Sequence, residues 1–226
     1  MKSKIFSTVR LSGSGHELQK SYSYIVSKTL KTILAIVALA TTILSCSKSD
    51  DTPAPTVVVP PVAVAPEQDP LAGYLIASGF NQETSSFVDA IVTESGFSFI
   101  PLVNGKITAI VVKIPDVQTG LRVTIWDKNS KTVIRTESID VRTAATETIK
   151  QITAIDLIKE KEYFITMNSA DRYVHEKTSG NAAAYPFIVE DIKITSYGGS
   201  VGTTQIYPTV FNTAVYSGDC SFKFQK

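Results

Sequence analysis

Two alternating stretches decide the fold class: residues 106–114 read KITAIVVKI, and residues 121–127 read LRVTIWD. Successive side chains of a strand point to opposite sides, so Leu121, Val123 and Ile125 would share one face. In the first stretch apolar residues occupy both faces, which is typical of a central strand covered on both sides. The two stretches therefore predict β-sheet.

Similar short runs lie on either side of these two stretches. They are separated by turn signals such as Asn104-Gly105, which favours a hairpin. Residues 81–94 fit either a short helix or an irregular first strand, and we favour the strand. Roughly eight to ten strands, spaced about 8–12 residues apart, predict an all-β, antiparallel two-sheet β-sandwich of jelly-roll or immunoglobulin-like type. The further candidate strands are residues 96–102, 132–139, 146–152, 162–168, 187–197 and 221–224.

An apolar run of a dozen residues, 33–44 (ILAIVALATTIL), follows a basic region containing Lys20, Lys28 and Lys31. About 20 apolar residues are needed to span a membrane, so this run is too short for a transmembrane helix. A charged start, a short apolar core and a small residue before a cleavage point are typical of a secretory signal peptide. We therefore expect residues 1–45 to be a signal peptide.

The signal ends in Ile-Leu-Ser-Cys at residues 43–46, which resembles the lipobox of bacterial lipoproteins. The resemblance implies that cleavage occurs before Cys46 and that Cys46 carries acyl chains such as palmitate. Residues 47–51 (SKSDD) resemble the acid-containing stretch that sends Bacteroidetes-type lipoproteins to the outer face of the outer membrane. The alternative is a Cys46–Cys220 disulfide, which requires that Cys46 is not acylated. With Cys46 acylated, Cys220 is expected to be a buried free thiol.

Six of the ten prolines lie between Pro53 and Pro70. Proline lacks the backbone donor and fixes φ, so this region cannot form a helix or a central strand. We expect residues 46–70 to be a semi-extended tether and residues 71–226 to be one folded domain.

The charge balance argues against nucleic acid as a partner. Six of the 22 basic and one of the 21 acidic residues precede Cys46, which leaves 16 basic and 20 acidic residues, a net charge of about −4. The remaining chain has no basic run or basic–aromatic patch.

Four segments together resemble a known class of domain: residues 94–99 (ESGFSF), 105–110 (GKITAI), 123–127 (VTIWD) and 162–165 (EYFI). In this order they resemble β-sandwich domains of unknown function from bacterial extracellular proteins, which often sit beside carbohydrate-active or immunoglobulin-like modules. The resemblance covers residues 94–168. It implies the fold more than any activity.

The best ligand-binding candidates lie in residues 169–186 (SADRYVHEKTSGNAAAYP), a polar segment with a short strand predicted around residues 173–176. Long loops on rigid β scaffolds often bind ligands. We also consider Trp126, the only tryptophan, as a stacking platform for a sugar ring, although we favour a packing role for it. The candidate ligand-binding residues are Trp126, Arg172, Tyr173, His175 and Tyr185.

Catalysis has little support in the sequence. His175 is the only histidine after the signal, which excludes a His-rich metal site. No Gly-x-Ser-x-Gly motif surrounds a serine, and the carboxylates are scattered. The glycines at residues 198–202 are expected to permit a turn or bulge, because no helix follows as in a nucleotide-binding loop. We therefore expect no enzyme activity, metal or cofactor. The expected partners are a membrane, through the lipid, and either a polysaccharide or a protein of a surface complex.

Overall fold

The computed structural model describes residues 65–226, which form one helix and thirteen strands. The predicted signal peptide, Cys46 and most of the predicted tether lie outside the described residues. The elements are α1 (Pro70–Ser78), β1 (Glu83–Phe87), β2 (Thr93–Pro101), β3 (Gly105–Lys113), β4 (Gln118–Asp127), β5 (Thr132–Val141), β6 (Thr148–Leu157), β7 (Tyr163–Ser169), β8 (Arg172–Glu176), β9 (Phe187–Val189), β10 (Ile192–Val201), β11 (Val210–Asn212), β12 (Val215–Ser217) and β13 (Asp219–Gln225).

The strands form one large sheet and two small ones, and their pairings are antiparallel. The large sheet has the order β11-β10-β2-β7-β4-β5, and β9 also pairs with β10. One small sheet has the order β13-β3-β6 and the other β1-β8-β12. Only Gly218 separates β12 from β13, so the chain passes directly from one small sheet to the other.

Aromatic contacts show that both small sheets pack against the same face of the large sheet. The Phe99 ring of β2 lies 4.5 Å from the Phe222 ring of β13, centroid to centroid. The Tyr197 ring of β10 lies 5.3 Å from the Tyr216 ring of β12. The prediction of an all-β sandwich is therefore confirmed.

The alternation in the two deciding stretches is also confirmed. Leu121, Val123 and Ile125 of β4 are buried in the core between the sheets. In the centre of β3, consecutive residues Ala109 and Ile110 are both fully buried, as expected for a strand covered on both faces.

The sequence analysis did not predict helix α1. Its limits nevertheless follow familiar signals: Asp69 caps it by accepting a hydrogen bond from the Leu71 amide at 3.2 Å, and Pro70 occupies its first turn. Gly79, at φ +81°, ends it in the left-handed conformation. Tyr74 anchors the helix in the core, with its ring 5.2 Å from that of Tyr216.

The fold reaches back beyond the predicted domain start at residue 71. The backbone of Gln68 pairs with Phe224 of β13 through two hydrogen bonds of 2.8 Å. Asp69 also accepts hydrogen bonds from Ser221 at 2.6 Å and from Lys223 at 3.0 Å. These contacts join the segment before the helix to an edge of the sandwich.

Of the glycines predicted to permit a turn or bulge, Gly198 and Gly199 lie inside strand β10, and Gly202, at φ +121°, lies just after its end. A Cβ on Gly198 would lie 2.8 Å from the Phe211 ring, and one on Gly199 would lie 2.8 Å from the Glu94 carbonyl oxygen. The two glycines therefore allow neighbouring groups to approach β10 closely. The bulge in β10 occurs earlier, between Ile194 and Ser196.

Candidate functional site

The structure separates the ligand-binding candidates that the sequence placed in one loop. Residues 172–176 form β8, the central strand of a small sheet, which confirms the short strand predicted around residues 173–176. Because side chains alternate along a strand, Arg172 and Val174 lie on one face of β8, and Tyr173 and His175 lie on the other. The two faces border different cavities.

Trp126 lies on the outer face of the large sheet, where it is only 3% exposed. Residues 202–209, which we call the strap, cross this face. The Tyr207 ring of the strap packs edge-on against the indole at 5.8 Å, and the indole Nε1 donates to Thr166 Oγ1 at 2.9 Å. With the strap in this position, the indole offers no open face to a sugar ring.

Tyr185 is half-buried and packs against helix α1. Its hydroxyl forms a hydrogen bond with the Tyr74 hydroxyl, and its ring lies 5.1 Å from the Phe187 ring. Burial raises the pKa of Tyr185 to about 12, against an opposing contribution from the hydrogen bond to Tyr74. These contacts hold Tyr185 against the helix.

His175 is buried and bonded through both ring nitrogens. Nε2 lies 2.6 Å from Asp219 Oδ1, and Nδ1 lies 3.1 Å from Thr84 Oγ1. A hydroxyl, an imidazole and a carboxylate in this order resemble a catalytic relay. The adjacent cavity, of about 200 Å³, is lined by His175 and Asp219 but not by Thr84. The contacts join strands β1, β8 and β13.

A larger cavity, of about 310 Å³, borders the other face of β8. It lies between β8 and β12 on one side and β2, β10 and β11 on the other, where the core opens at one end of the sandwich. We call it the Arg172 cavity. Its volume is at the lower end of the range for small-molecule sites. Four valines contribute apolar wall: Val174, Val201, Val210 and Val215.

Hydroxyl groups line the same cavity, and two of them lack a hydrogen-bond partner. Thr93 Oγ1 and Ser217 Oγ are buried, and neither bonds to another group of residues 65–226. The Tyr197 hydroxyl approaches Ser217 without the geometry of a hydrogen bond to Ser217 Oγ. Buried polar groups are normally paired, so the two unpaired hydroxyls are exceptions in this domain.

Arg172 is the only charged residue among those that line this cavity. Its Nη1 donates to the carbonyl oxygens of Ile91 at 2.9 Å and Ala170 at 3.4 Å. Its guanidinium lies 5.7 Å from the centre of the Phe87 ring. Both hydrogen bonds use Nη1, and Arg172 forms no ion pair with a carboxylate of the described residues. The Nε–Nη2 edge of the fork can therefore serve a planar acceptor.

The residues that line the Arg172 cavity can make three kinds of contact. Valine side chains can contact C–H groups, hydroxyls can donate and accept, and the guanidinium can bind an anion. Residues 65–226 contain no cluster of three or more His, Cys, Asp or Glu side chains arranged to hold a metal ion. Within the same residues, no helix combines the length and hydrophobicity required to cross a bilayer.

Of the candidate residues predicted from the sequence, Arg172 alone lines this cavity, and most of the lining was not predicted. Thr93, Ser95 and Ser217 are ordinary strand residues whose only local signal is that each shares a face with core residues. Strands β2, β8, β10, β11 and β12 bring them together across more than a hundred residues of chain.

Compared with known proteins, the chain matches no protein family and no curated sequence.

Proposed function

We propose that this protein is a lipid-anchored lipoprotein of the cell envelope, exposed at the outer membrane surface, whose β-sandwich binds a glycan without converting it. The lipobox resemblance at Cys46, the acidic stretch that follows it and the proline-rich segment before residue 71 support the anchoring. The Arg172 cavity supports the binding role.

The observation that carries the binding proposal is the pair of buried hydroxyls without partners, Thr93 Oγ1 and Ser217 Oγ, in the wall of a 310 Å³ cavity. A buried hydroxyl left unpaired costs about 1–3 kcal/mol. A sugar presents hydroxyls that can pair with such groups and C–H faces that can contact valines. One end of a glycan therefore matches this lining.

The lining also supports binding without turnover. Glycoside hydrolysis requires two carboxyl groups about 5–10 Å apart. None of the residues that line the Arg172 cavity carries a carboxylate. The site has donors, acceptors and apolar walls, but lacks the acid and base pair that sugar hydrolysis uses.

A glycan array probed with the purified mature protein tests the proposal. We expect selective binding, and we expect Val174→Phe to reduce it at least tenfold because the larger ring fills the cavity. Tyr173→Ala is the matched control, since Tyr173 neighbours Val174 on β8 but points to the opposite face. It should bind as the unchanged protein does. Thermal melting of each variant must show a folded protein.

Two results would contradict this assignment. Loss of binding in Tyr173→Ala with full binding in Val174→Phe would move the site to the other face of β8. Absence of binding to every glycan would remove the glycan from the proposal.

The second candidate function is a structural or adhesion role with a protein partner in a surface complex. It is favoured by exposed apolar side chains at the cavity mouth: Val201 is 70% exposed and Val210 67%. Large exposed apolar groups that lie together are typical of protein contacts. A co-purifying partner that is lost with Val210→Ser, in a protein that binds no glycan, would support this role.

A further inference from the structure

We infer that the ligand of the Arg172 cavity is an acidic sugar unit whose carboxylate pairs with the guanidinium of Arg172. This inference rests on the proposed glycan-binding function and adds the substrate class. It follows from the charge of the cavity, from the unpaired hydroxyls and from the size of the space.

The charge of the lining favours an anion. Arg172 is the only charged side chain in the cavity wall, and the ion pairs of the described residues do not include it. Nη1 is occupied by the carbonyl oxygens of Ile91 and Ala170, which fixes the guanidinium in place. A planar carboxylate matches the remaining edge of the fork with two parallel hydrogen bonds.

The hydroxyls distinguish a sugar acid from other anions. A fatty acid would satisfy the valines and Arg172 but would leave Thr93 Oγ1 and Ser217 Oγ unpaired. Inorganic phosphate would satisfy the cation but would leave the valine walls without a partner. A uronic acid unit has a carboxylate, several hydroxyls and apolar C–H groups. It can therefore pair with Arg172, with the two hydroxyls and with the valine walls.

The size of the cavity favours one unit at the end of a glycan. Its volume of about 310 Å³ is at the lower limit of ligand pockets. Gly199, which has no side chain, is among the residues that line this space.

Isothermal titration calorimetry of the purified mature protein tests the inference. The probes are D-glucuronate and D-galacturonate, their neutral counterparts D-glucose and D-galactose, and cyclohexanecarboxylate as an apolar acid without hydroxyls. We expect one uronate to bind at least tenfold more tightly than its neutral counterpart. Cyclohexanecarboxylate should bind more weakly than that uronate because it leaves the two hydroxyls unpaired.

Variants locate the charge that the uronate uses. Arg172→Gln should weaken uronate binding by about 10- to 100-fold, as expected for loss of a charge-assisted hydrogen-bonded pair. Binding of the neutral sugar should change little. Arg142→Gln is the control, since Arg142 is an exposed arginine away from the cavity. Because Arg172 also holds Ile91, Val174→Phe serves as a second variant that keeps the arginine and should abolish binding of both sugars.

The outcomes separate this inference from the proposed function. Equal binding of uronate and neutral sugar, unchanged in Arg172→Gln but lost in Val174→Phe, would overturn the acidic ligand and retain glycan binding. Binding of cyclohexanecarboxylate alone would overturn both, in favour of an apolar acid. Neutral glycans bound on the array, with neither uronate bound in solution, would also overturn the acidic ligand.

Discussion

Glu94 is a fully buried carboxylate on the outer face of the large sheet. It accepts a hydrogen bond from Arg122 Nη2 at 2.8 Å and another from the Thr166 hydroxyl. Arg122 Nη1 in turn donates to the Thr203 carbonyl oxygen of the strap at 2.9 Å. A buried carboxylate is tolerated only when it is paired and hydrogen-bonded, and these contacts supply that pairing.

Glu94→Ala should destabilise the fold by about 2–3 kcal/mol, because it leaves Arg122 and Thr166 without their acceptor beneath the strap. We expect a smaller loss of stability than for breaking a fully buried ion pair, because the Arg122 side chain is 25% exposed. Urea unfolding measures the change. Glu83→Ala, on the exposed strand β1, is the control and should cost less than about 0.5 kcal/mol. Equal costs for the two substitutions would contradict the pairing.

Among the elements, helix α1 is attached to the sandwich by a pair of tyrosines. The Tyr74 and Tyr185 hydroxyls bond to each other, and the Tyr74 ring also packs on Phe97 and Phe187 at 5.9 and 5.8 Å. Burial raises the pKa of Tyr74 far above its usual value of 10.0 and raises the pKa of Tyr185 to about 12. Folding therefore favours the protonated form of both phenols.

This attachment predicts a loss of stability at high pH. A folded-state pKa above the unfolded one contributes stability that is complete below about pH 10 and is lost as pH rises towards 12. Melting temperature should therefore stay level from pH 7 to 9 and fall between pH 10 and 12.

The double variant Tyr74→Phe/Tyr185→Phe should show a shallower fall, because removing both hydroxyls together leaves neither unpaired. It should not remove the fall completely, since burial also raises the pKa of Tyr197 and Tyr216. Lysine titration affects both proteins and cancels in the comparison. Identical pH profiles would contradict the contribution of this pair.

Strand β8 shows why element prediction was incomplete. Its sequence, RYVHE, is polar and short, so local pattern alone indicates a loop with at most a weak strand. In the structure it pairs with β1 on one side and β12 on the other, which come from before and after it in the chain. Those distant pairings, and not its own alternation, make it a central strand with one cavity on each face.

At the scale of the whole molecule, the anchoring proposal can be tested independently of the cavity. Cys46→Ser should abolish incorporation of labelled palmitate and release the protein from the membrane fraction, because acyl chains on the cysteine hold the protein there. Brief protease treatment of intact cells should remove the unchanged protein, as expected for the outer face of the outer membrane.

The matched control for this experiment is Cys220→Ala, which changes the other cysteine. Cys220 is free and fully buried, so it is expected to have no part in anchoring. Membrane association that persists in Cys46→Ser would contradict the lipid anchor. Protection of the domain in intact cells would contradict surface exposure.

The sequence by itself determined the β class of the fold and the faces of its strongest strands. The alternation of apolar and polar residues is a local property. The burial of Leu121, Val123 and Ile125 can therefore be predicted without reference to the rest of the chain. The capping signals of α1 are equally local: Asp69 precedes the helix, Pro70 begins it and Gly79 follows it. The crowding of prolines nevertheless favoured an extended tether in the prediction.

Only the tertiary structure decided where the candidate site lies. Because side chains alternate along a strand, Arg172 and His175 of β8 lie on opposite faces. Residues that are close in sequence therefore border two different cavities. Conversely, Thr93, Arg172 and Ser217 are far apart in the chain and meet in one cavity because the sheets pack face to face. Strand periodicity is encoded over a few residues, whereas the cavity depends on which strands pair across the whole domain.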